Sequence, residues 1–492
     1  TGGEASGTSE LPEEEEDLSI YRYDQILLRI ARRGVQVYVI MWHEFAMAGM
    51  NLSTSMIRQY MVDLHPNIKC IVHPRNLPFS WSHHQKIMVI DQCVAFVGGL
   101  DVGIGRWDDH THRITDYNHL QTRWPGVDYA NDTLARLTSI KPMKKKTDAF
   151  RDFLDRDMFP RLPWHDVHCV VAGVIASDIA SNLISRWNHH NRVDRAEQTI
   201  SEVNYYDATL SLFEKRCEMN EYIQDLSPKL AHAKVQALRS ISLWSGSLRT
   251  EHSIQSAMIS VIENAQYYIH IENQYFISHT IYSERVENQV AQAIIRRVSR
   301  AIEQREVFRV VIILPMHHSG DIYDPSTHQV MKWQRATIEG IFATLHQQFP
   351  HADLHNYINF FALVQKGNIH GAVHFSQIYV HAKLLMVDDR IALIGSANIN
   401  DRSLIGNRDS EIAIIAEQYQ GTTSVFNNRR VDTGRTVKSL RKRLWREHMI
   451  GDPSMSRLNL IQQFLPATHR GLTDSKTDLL YAASKDIISN AV

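Results

Sequence analysis

HQKIMVIDQCVAFVGGLD occupies residues 84–101, and HAKLLMVDDRIALIGSAN occupies residues 381–398. The two stretches align without a gap, since equivalent positions such as His84 and His381 always lie 297 residues apart. Each contains the pattern HxKxxxxD, followed later by Gly-Gly or Gly-Ser. One register kept over 18 residues indicates an internal duplication, so we expect the chain to contain two homologous halves.

The repeated stretch predicts a β-hairpin. In the first copy, residues 87–90 form a strand, residues 91–93 a turn and residues 94–97 a returning strand, and the second copy repeats this pattern. Side chains two positions apart on a strand share a face, so the histidine and lysine of each copy should point the same way. The aspartate falls at the turn, which favours an architectural role over direct chemistry. The motif residues that we assign to catalysis are His84, Lys86, Asp91, His381, Lys383 and Asp388.

The small residues that end each hairpin predict a phosphate-binding site. Glycine allows the backbone to approach a ligand closely, and exposed amides there can cradle a phosphate. Serine and asparagine side chains add further donors. The residues expected to bind phosphate are Gly99, Asp101, Ser396 and Asn398.

Two halves that face each other would bring two imidazoles and two ammonium groups to one site, a set that suits phosphodiester cleavage. One imidazole attacks phosphorus and forms a covalent intermediate. The other protonates the leaving alkoxide and then activates the incoming water or alcohol. The lysines hold the charged oxygens, in the role that metal ions play elsewhere. The sequence carries no separate carboxylate cluster, so we expect no metal and no cofactor in the chemistry.

Acidic residues downstream of each motif are candidates to orient the imidazoles. Arg408 precedes Glu411 by three positions, and Arg113 precedes Asp116 by the same distance. Glu411 and Asp116 are therefore predicted to accept from an imidazole Nδ1–H and fix its tautomer. The alternative for each is an ordinary surface ion pair.

Composition excludes several other classes of protein. The chain has 492 residues, a net charge of -1 and 43% hydrophobic residues, so it has enough apolar material for a large core and no basic signature of a dedicated nucleic-acid binder. Its four cysteines form no Cys-x-x-Cys pair and are expected to be free thiols. No apolar run approaches the roughly 18 residues that span a bilayer.

The pattern along the chain indicates an α/β protein. A helical pattern that ends at Gly34 precedes a strand at residues 35–40, and a helix around 290–302 precedes a buried strand at 308–314. The expected segments are a disordered acidic leader (1–19), an N-terminal catalytic half (20–188), a linker or insertion (189–235), a C-terminal catalytic half (236–460) and a tail (461–492). The sequence carries no signal for an oligomeric state.

The doubled HxKxxxxD with GG or GS seven residues after the aspartate resembles the signature of the phospholipase D superfamily. Over roughly residues 20–450 the chain is similar to the catalytic region of the eukaryotic enzymes that hydrolyse phosphatidylcholine. The supporting segments are GRWDD (105–109), RLPWHD (161–166), IHIENQYF (269–276) and INDRS (399–403).

The resemblance implies hydrolysis of phosphatidylcholine to phosphatidate and choline. The covalent intermediate predicts transfer to primary alcohols as well, since an alcohol has the same hydroxyl proton as water. It implies a pseudo-twofold α-β-α-β-α sandwich, in which each half supplies a mixed β-sheet flanked by helices. It assigns the nucleophile to His84 and the general acid to His381, a choice that the symmetry of the motifs leaves open. The expected partner is the surface of a phospholipid membrane, approached from the cytoplasm.

Phosphoinositide or calcium is expected only as an activator at that membrane surface. The alternative function is a nuclease or other phosphodiesterase of the same superfamily, although the near-neutral charge argues against a nucleic-acid substrate. An aromatic cage for choline is a further expectation, with Trp81, Trp107, Tyr275 and Phe276 as candidates beside the motif segments.

Overall fold

The computed structural model describes ten segments of the chain. They are residues 22–42, 54–73, 81–103, 105–116, 123–134, 152, 154–194, 231–321, 323–449 and 458–460, the backbone alone being described at 191–194 and 458–460. The predicted leader (1–19) and tail (461–492) lie outside these residues, as does most of the predicted linker.

The chain divides into two compact units, and both motif copies lie in the second. Unit 1 comprises Thr1–Arg75 and His190–Thr199, and unit 2 comprises Asn76–His189 and Ile200–Val492. The segment boundaries predicted from the sequence remain predictions.

Unit 1 contains the first helix–strand pairs. Its elements are α1 (Tyr23–Arg32), β1 (Val37–Met41), α2 (Thr54–Leu64) and β2 (Ile68–Val72). The two strands pair in parallel, which requires a crossover, and α2 supplies it. The helices pack on the strands through the buried residues Leu27, Ala31, Met61, Ile68 and Cys70.

Unit 2 begins with the hairpin of the first motif. Its first elements are β3 (Ile87–Ile90), β4 (Val94–Gly98), β5 (Trp164–His165), β6 (His168–Ala172) and α3 (Val174–Asp194). Strands β3, β4 and β6 form a three-stranded antiparallel sheet. At the β3–β4 turn, Asp91 and Gln92 both have positive φ, the conformation of the tight two-residue turns that match strand twist.

The remaining elements of unit 2 build the large sheet and the helices that cover it. In chain order they are β7 (Lys234–Ile241), β8 (Glu251–His252), α4 (Ser253–Asn264), β9 (Tyr268–Asn273), α5 (Val290–Glu303), β10 (Arg309–Ile313), α6 (Pro325–Gln348), β11 (Ile358–Ile369), β12 (Ala372–Val380), β13 (Lys383–Val387), β14 (Ile391–Gly395), α7 (Asp401–Leu404), β15 (Glu411–Glu417), β16 (Gly421–Phe426), β17 (Arg429–Gly434), α8 (Arg435–Met449) and β18 (Leu458–Leu460).

The large sheet has 11 strands and is mixed. Its order is β5-β12-β11-β10-β9-β13-β14-β15-β7-β8, and β18 also pairs with β11. Strands β9, β10 and β11 run parallel, while the second motif hairpin, β13–β14, joins β9 antiparallel. Helices α4, α5 and α6 pack on one face through the largest apolar cluster, and α8 covers the other face. An α/β fold with a mixed sheet flanked by helices in each half was expected, and the mixed α/β fold with helices flanking a large sheet is confirmed.

The two motif hairpins have the same geometry. In the first, Ile87 pairs with Val97, and in the second, Leu384 pairs with Ile394, so the 297-residue offset holds for the backbone pairing as well. Both turns contain two consecutive residues with positive φ, which are Asp388 and Asp389 in the second copy.

A third apolar cluster joins the two halves of unit 2. Ala95 and Val97 of β4 and Ala176 and Ile179 of α3 pack against Ile412 and Ile414 of β15. All six are at most 3% exposed, and burial of each larger side chain stabilises the contact by about 1.5–3 kcal/mol. This cluster holds β4, a strand of the first motif, beside β15, which begins at Glu411 in the second half of the chain.

Candidate active site

His84 is held by a carboxylate of the opposite half. Its Nδ1 lies 3.0 Å from Oε1 and 3.1 Å from Oε2 of Glu411, and its backbone N donates to the carbonyl of Ser410. Strand β3 begins at Ile87, as predicted, so His84 lies just before the strand. With Nδ1–H donated to the carboxylate, Nε2 carries the free lone pair.

Glu411 is itself fixed by further donors. The hydroxyls of Ser396 and Ser403 donate to its two oxygens, and its side chain is fully buried. Burial by itself raises the pKa of this carboxyl, but the charge and hydrogen bond of His84 and the charge of Lys86 outweigh it and lower the pKa. Glu411 therefore lies where an orienting anion was predicted.

His381 has the reciprocal arrangement. Its Nδ1 lies 2.7 Å from Oδ2 of Asp166, which belongs to the first half, and its backbone N donates to the carbonyl of His165. Burial raises the pKa of Asp166 to about 7, and the charges of Lys383 and His165 act in the opposite direction. Burial and the nearby cationic groups, Lys383 first, lower the pKa of His381. Each imidazole thus bonds to a carboxylate from the other half of the chain.

The prediction that Asp116 orients an imidazole is wrong. Both oxygens of Asp116 accept from Nη1 of Arg156, at 3.1 and 2.8 Å, so Asp116 is one member of a buried ion pair. Asp166 holds the position instead. The repeat could not reveal this, since Glu411 follows Asn398 by 13 residues whereas Asp166 follows Asp101 by 65.

The two lysines have equivalent backbone contacts. Nζ of Lys86 donates to the carbonyl of His84, and Nζ of Lys383 donates to the carbonyl of His381. Lys383 also donates to Oε1 of Gln274 at 3.0 Å. Burial lowers the pKa of Lys383 to about 7, in a side chain that is only 1% exposed. An anionic ligand beside it would favour the charged form.

Asp101 links the two motifs into one site. Its carboxylate lies 3.2 Å from Nζ of Lys86 and 3.7 Å from Nε2 of His381. Burial raises its pKa, but the charges of Lys86 and Arg106 outweigh this and lower it, so the group is an anion. A carboxylate repels a phosphate, so the prediction that Asp101 binds phosphate is wrong on charge. Asn398 keeps a buried side-chain oxygen without a hydrogen-bond partner among the described residues.

The predicted phosphate cradle at Gly99 and Ser396 is also wrong. The backbone N of Gly99 donates to the carbonyl of Val167, and that of Ser396 to the carbonyl of Ile412. Backbone carbonyls of neighbouring segments therefore accept from the amides that were expected to face a ligand. A Cβ at Gly99 would lie 2.0 Å from Oδ1 of Asp166, so glycine is needed here for the close approach of this carboxylate.

The motif aspartates lie at the turns, away from the imidazoles. Oxygens of Asp388 accept from three consecutive backbone amides, Gln266, Tyr267 and Tyr268, at 2.7 to 2.9 Å. Asp91 is exposed at the first turn. Their placement fits the architectural role that the spacing favoured, and their assignment to the catalytic set is corrected.

The aromatic candidates for a choline cage have different surroundings. Phe276 is fully buried and packs against Phe360, whereas the ring of Tyr275 stacks on His318 at 4.5 Å. Trp107 is 52% exposed, and its ring lies 5.8 Å from that of Trp124. The cage remains a prediction.

A buried cluster of histidines and glutamates lies behind His381. Among the described residues, His112, His165 and Glu447 form one set, and His165, Glu272 and His448 another, with donor atoms in each within 4.8 Å of one another. The close contacts are 2.6 to 3.2 Å long, which are hydrogen-bond distances. We therefore interpret the cluster as a network of proton-mediated contacts.

Other expectations concern cysteines and membrane spans. Cys70, Cys93 and Cys169 are free thiols, as expected, and Cys217 lies outside the described residues. Within the described segments, no helix combines the length and the apolar character that crossing a bilayer requires.

Two carboxylate-bound imidazoles and two lysines, with Asp101 between the two motifs, form a site of the chemical type that suits phosphodiester cleavage. The family model described as phospholipase D matches residues 13–375 and 371–460. The chain belongs to the phospholipase D family, and the resemblance carried by the motifs is confirmed.

Named relatives agree with this assignment. The chain is 40% identical over 434 residues to phospholipase D A of Dictyostelium discoideum, which covers 87% of this chain and 32% of the relative. It is 34% identical to phospholipase D2 of Bos taurus (86% and 47% covered) and 32% identical to phospholipase D zeta 2 of Arabidopsis thaliana (88% and 49%). The chain thus spans about a third to a half of the length of these relatives.

Among solved structures, the phosphatidylserine synthase of Haemophilus influenzae Rd KW20 has a TM-score of 0.46 at 11% identity, covering 95% of this chain and 86% of the other.

Proposed function

We propose that this chain hydrolyses phosphatidylcholine to phosphatidate and choline through a phosphohistidine at His84. The observation that carries the proposal is the crossed pairing of His84 with Glu411 and of His381 with Asp166, around a point that Lys86 and Asp101 share. Relatives named phospholipase D support the substrate class.

In the first step, Nε2 of His84 attacks phosphorus while Nδ1–H stays donated to Glu411. The P–N bond forms as the bond from phosphorus to the choline oxygen breaks, and His381 gives its proton to that oxygen. A bound phosphodiester anion offsets the lysine charges that lower the pKa of His381, so the substrate itself favours the acid form.

In the second step, the now neutral His381 takes a proton from water as the water oxygen attacks phosphorus. The P–N bond breaks, and phosphatidate leaves with His84 restored. A primary alcohol has the same hydroxyl proton, so it should give the phosphatidylalcohol. Lys86 and Lys383 hold the phosphoryl oxygens, and we propose that no metal takes part in these steps.

The site is proposed to work at the cytoplasmic surface of a phospholipid membrane, with phosphoinositide or calcium as activator. Leu100 and Val102 flank Asp101 and are 47% and 76% exposed. Apolar side chains that project beside a reactive group are suited to enter a lipid layer. No observation favours the alternative of a nuclease, and the named relatives are phospholipases.

The test is turnover of a soluble short-chain phosphatidylcholine in excess chelator, with and without butan-1-ol. We expect His84→Ala and His381→Ala each to lower kcat by several orders of magnitude, because each removes an obligatory role. A substrate chiral at phosphorus should react with retention, since two in-line displacements occur. Net inversion, or activity that depends on a divalent ion, would contradict the mechanism.

A further inference from the structure

The segment that carries Asp166 has a weak backbone attachment to the large sheet. Strand β5 is only two residues long and pairs in parallel with the end of β12, where Trp164 lies opposite Tyr379 and His165 opposite Val380. A strand of two residues is short even for a sheet edge. Side-chain contacts therefore add to backbone bonds, such as that from the amide of Gly99 to the carbonyl of Val167, in setting the position of the residue that follows it.

His165 supplies those contacts. Its Nε2 lies 2.6 Å from Oε2 of Glu272 on β9, and its Nδ1 lies 3.2 Å from Oε1 of Glu447 on α8. Both ring nitrogens thus face a carboxylate, which a neutral imidazole, with one N–H, cannot satisfy. The ring is 2% exposed, and Glu272 is fully buried.

The groups around His165 and Glu272 favour a positive charge on His165 rather than on the neighbouring histidines. The other oxygen of Glu272 accepts from Nε2 of His270 and of His448, at 2.8 and 2.7 Å. Nδ1 of His270 accepts from the indole N–H of Trp445, so this ring is the neutral tautomer. Burial lowers the pKa of His448, whereas for His165 the charges and hydrogen bonds of Glu272 and Glu447 outweigh burial and raise the pKa to about 10.

We propose that His165 is a positioning residue for acid–base catalysis. Held as an imidazolium by Glu272 and Glu447, it fixes the neighbouring Asp166 and favours the ionised form of that carboxylate, and Asp166 in turn holds His381. The inference rests on the proposed function, because it assigns His381 the proton transfers.

The charge of His165 lowers the pKa of Asp166, so its removal has an effect of known direction. The titratable or charged groups that face Asp166 are His381, Lys383, His165 and Asp101, and His165 and Lys383 act to lower its pKa. Those that face His165 are Glu272, Glu447, His448 and His112, besides Asp166. Asp166 must be ionised to accept from His381, so its protonation defines an acid limb of the rate profile. Removing the charge of His165 raises the pKa of Asp166 and moves that limb to higher pH.

The discriminating variant is Glu272→Gln, which removes charge while it preserves hydrogen bonds. Its Oε1 can still accept from His270 and His448, and its amide N–H can donate to a neutral His165. We expect the acid limb of kcat for soluble short-chain phosphatidylcholine to move up by roughly one pH unit. KM should change less than about threefold, because the substrate contacts are untouched.

A matched control is Asp389→Asn. Asp389 is a fully buried carboxylate that bonds to Arg441 of α8 and to Tyr268 of β9, the same two elements, without contact to β5. It should lower the temperature of unfolding and leave the acid limb in place. The double variant Glu272→Gln/Asp166→Asn should have the kcat of Asp166→Asn alone, since one residue acts through the other.

Three outcomes would overturn the proposal: an acid limb that does not move, additive losses in the double variant, or a stoichiometric metal that Glu272→Gln releases. If Glu272→Gln fails to fold, Glu447→Gln tests the same shift from the more exposed side of the network, since the Glu447 side chain is 14% exposed. A wild-type protein that does not turn over the substrate would count against the proposed function, whereas an active protein with an unmoved limb counts against this inference alone.

Discussion

At the scale of single residues, two aspartates of the first half differ in role, and only Asp116 was predicted from the sequence to orient an imidazole. Asp116 bonds to Arg156, and Asp166 bonds to the imidazole of His381. Both are largely buried, so burial does not distinguish them. The hydrogen-bond partner does, because an aspartate fixes an imidazole tautomer where it accepts from the ring Nδ1–H, and it is Asp166 that lies at Nδ1 of His381.

We expect Asp166→Asn to lower kcat by about 10²–10⁴, since loss of the anion leaves His381 without its orienting acceptor. Asp116→Asn should cost on the order of 1–3 kcal/mol of stability and change kcat less than about threefold. Parallel measurement of kcat and thermal unfolding separates the two. Comparable kcat losses in both variants would restore Asp116 to the site.

At the scale of elements, each motif hairpin could be predicted from the sequence. The contacts of the residues that follow the hairpins, Gly99 and Ser396, could not. The alternation around residues 87–97 predicts both strands and the turn, because one hairpin is a local structure. The roles of Gly99 and Ser396 depend on strands β6 and β15, which pair with the hairpin from elsewhere in the chain. Asp166 was missed for a similar reason, since the insertion before it breaks the register of the repeat.

A methyl group at the end of β4 tests this packing. In Gly99→Ala the new Cβ would lie 2.0 Å from Oδ1 of Asp166, so the carboxylate must turn away from His381. We expect kcat to fall about 100-fold, as for other losses of positioning, with little change in KM. Gly103→Ala is the control, because its Cβ meets nothing closer than Cγ of Arg106 at 3.6 Å. Wild-type kcat in Gly99→Ala would contradict the close approach.

At the scale of the whole molecule, the α/β class followed from helix–strand alternation, but the order of the 11 strands did not. Pairings such as β15 with β7 and β12 with β5 join segments far apart in sequence, and no local pattern records them. The apolar cluster between β4, α3 and β15 is a similar case, since it makes one site from two motifs.

Docking on a membrane also involves the molecule as a whole. Leu100→Ser/Val102→Ser should lower activity on phosphatidylcholine vesicles about tenfold and leave activity on a soluble short-chain substrate unchanged, because only the former requires insertion. Val373→Ser is a matched control. Val373 is 53% exposed on β12, about 26 Å along the strand from His381. Equal losses on vesicles and on the soluble substrate would indicate damage to the site rather than to membrane docking.

The crossed carboxylates also bear on how such a chain could diverge after its gene was duplicated. A lone half has a histidine without its acid, so two identical copies would have to associate, and every substitution would then appear twice in the site. Fusion into one polypeptide removes that constraint. Asp101 opposite Asn398 and Gly99 opposite Ser396 are differences of this kind, and the proposed mechanism likewise gives the two histidines different roles.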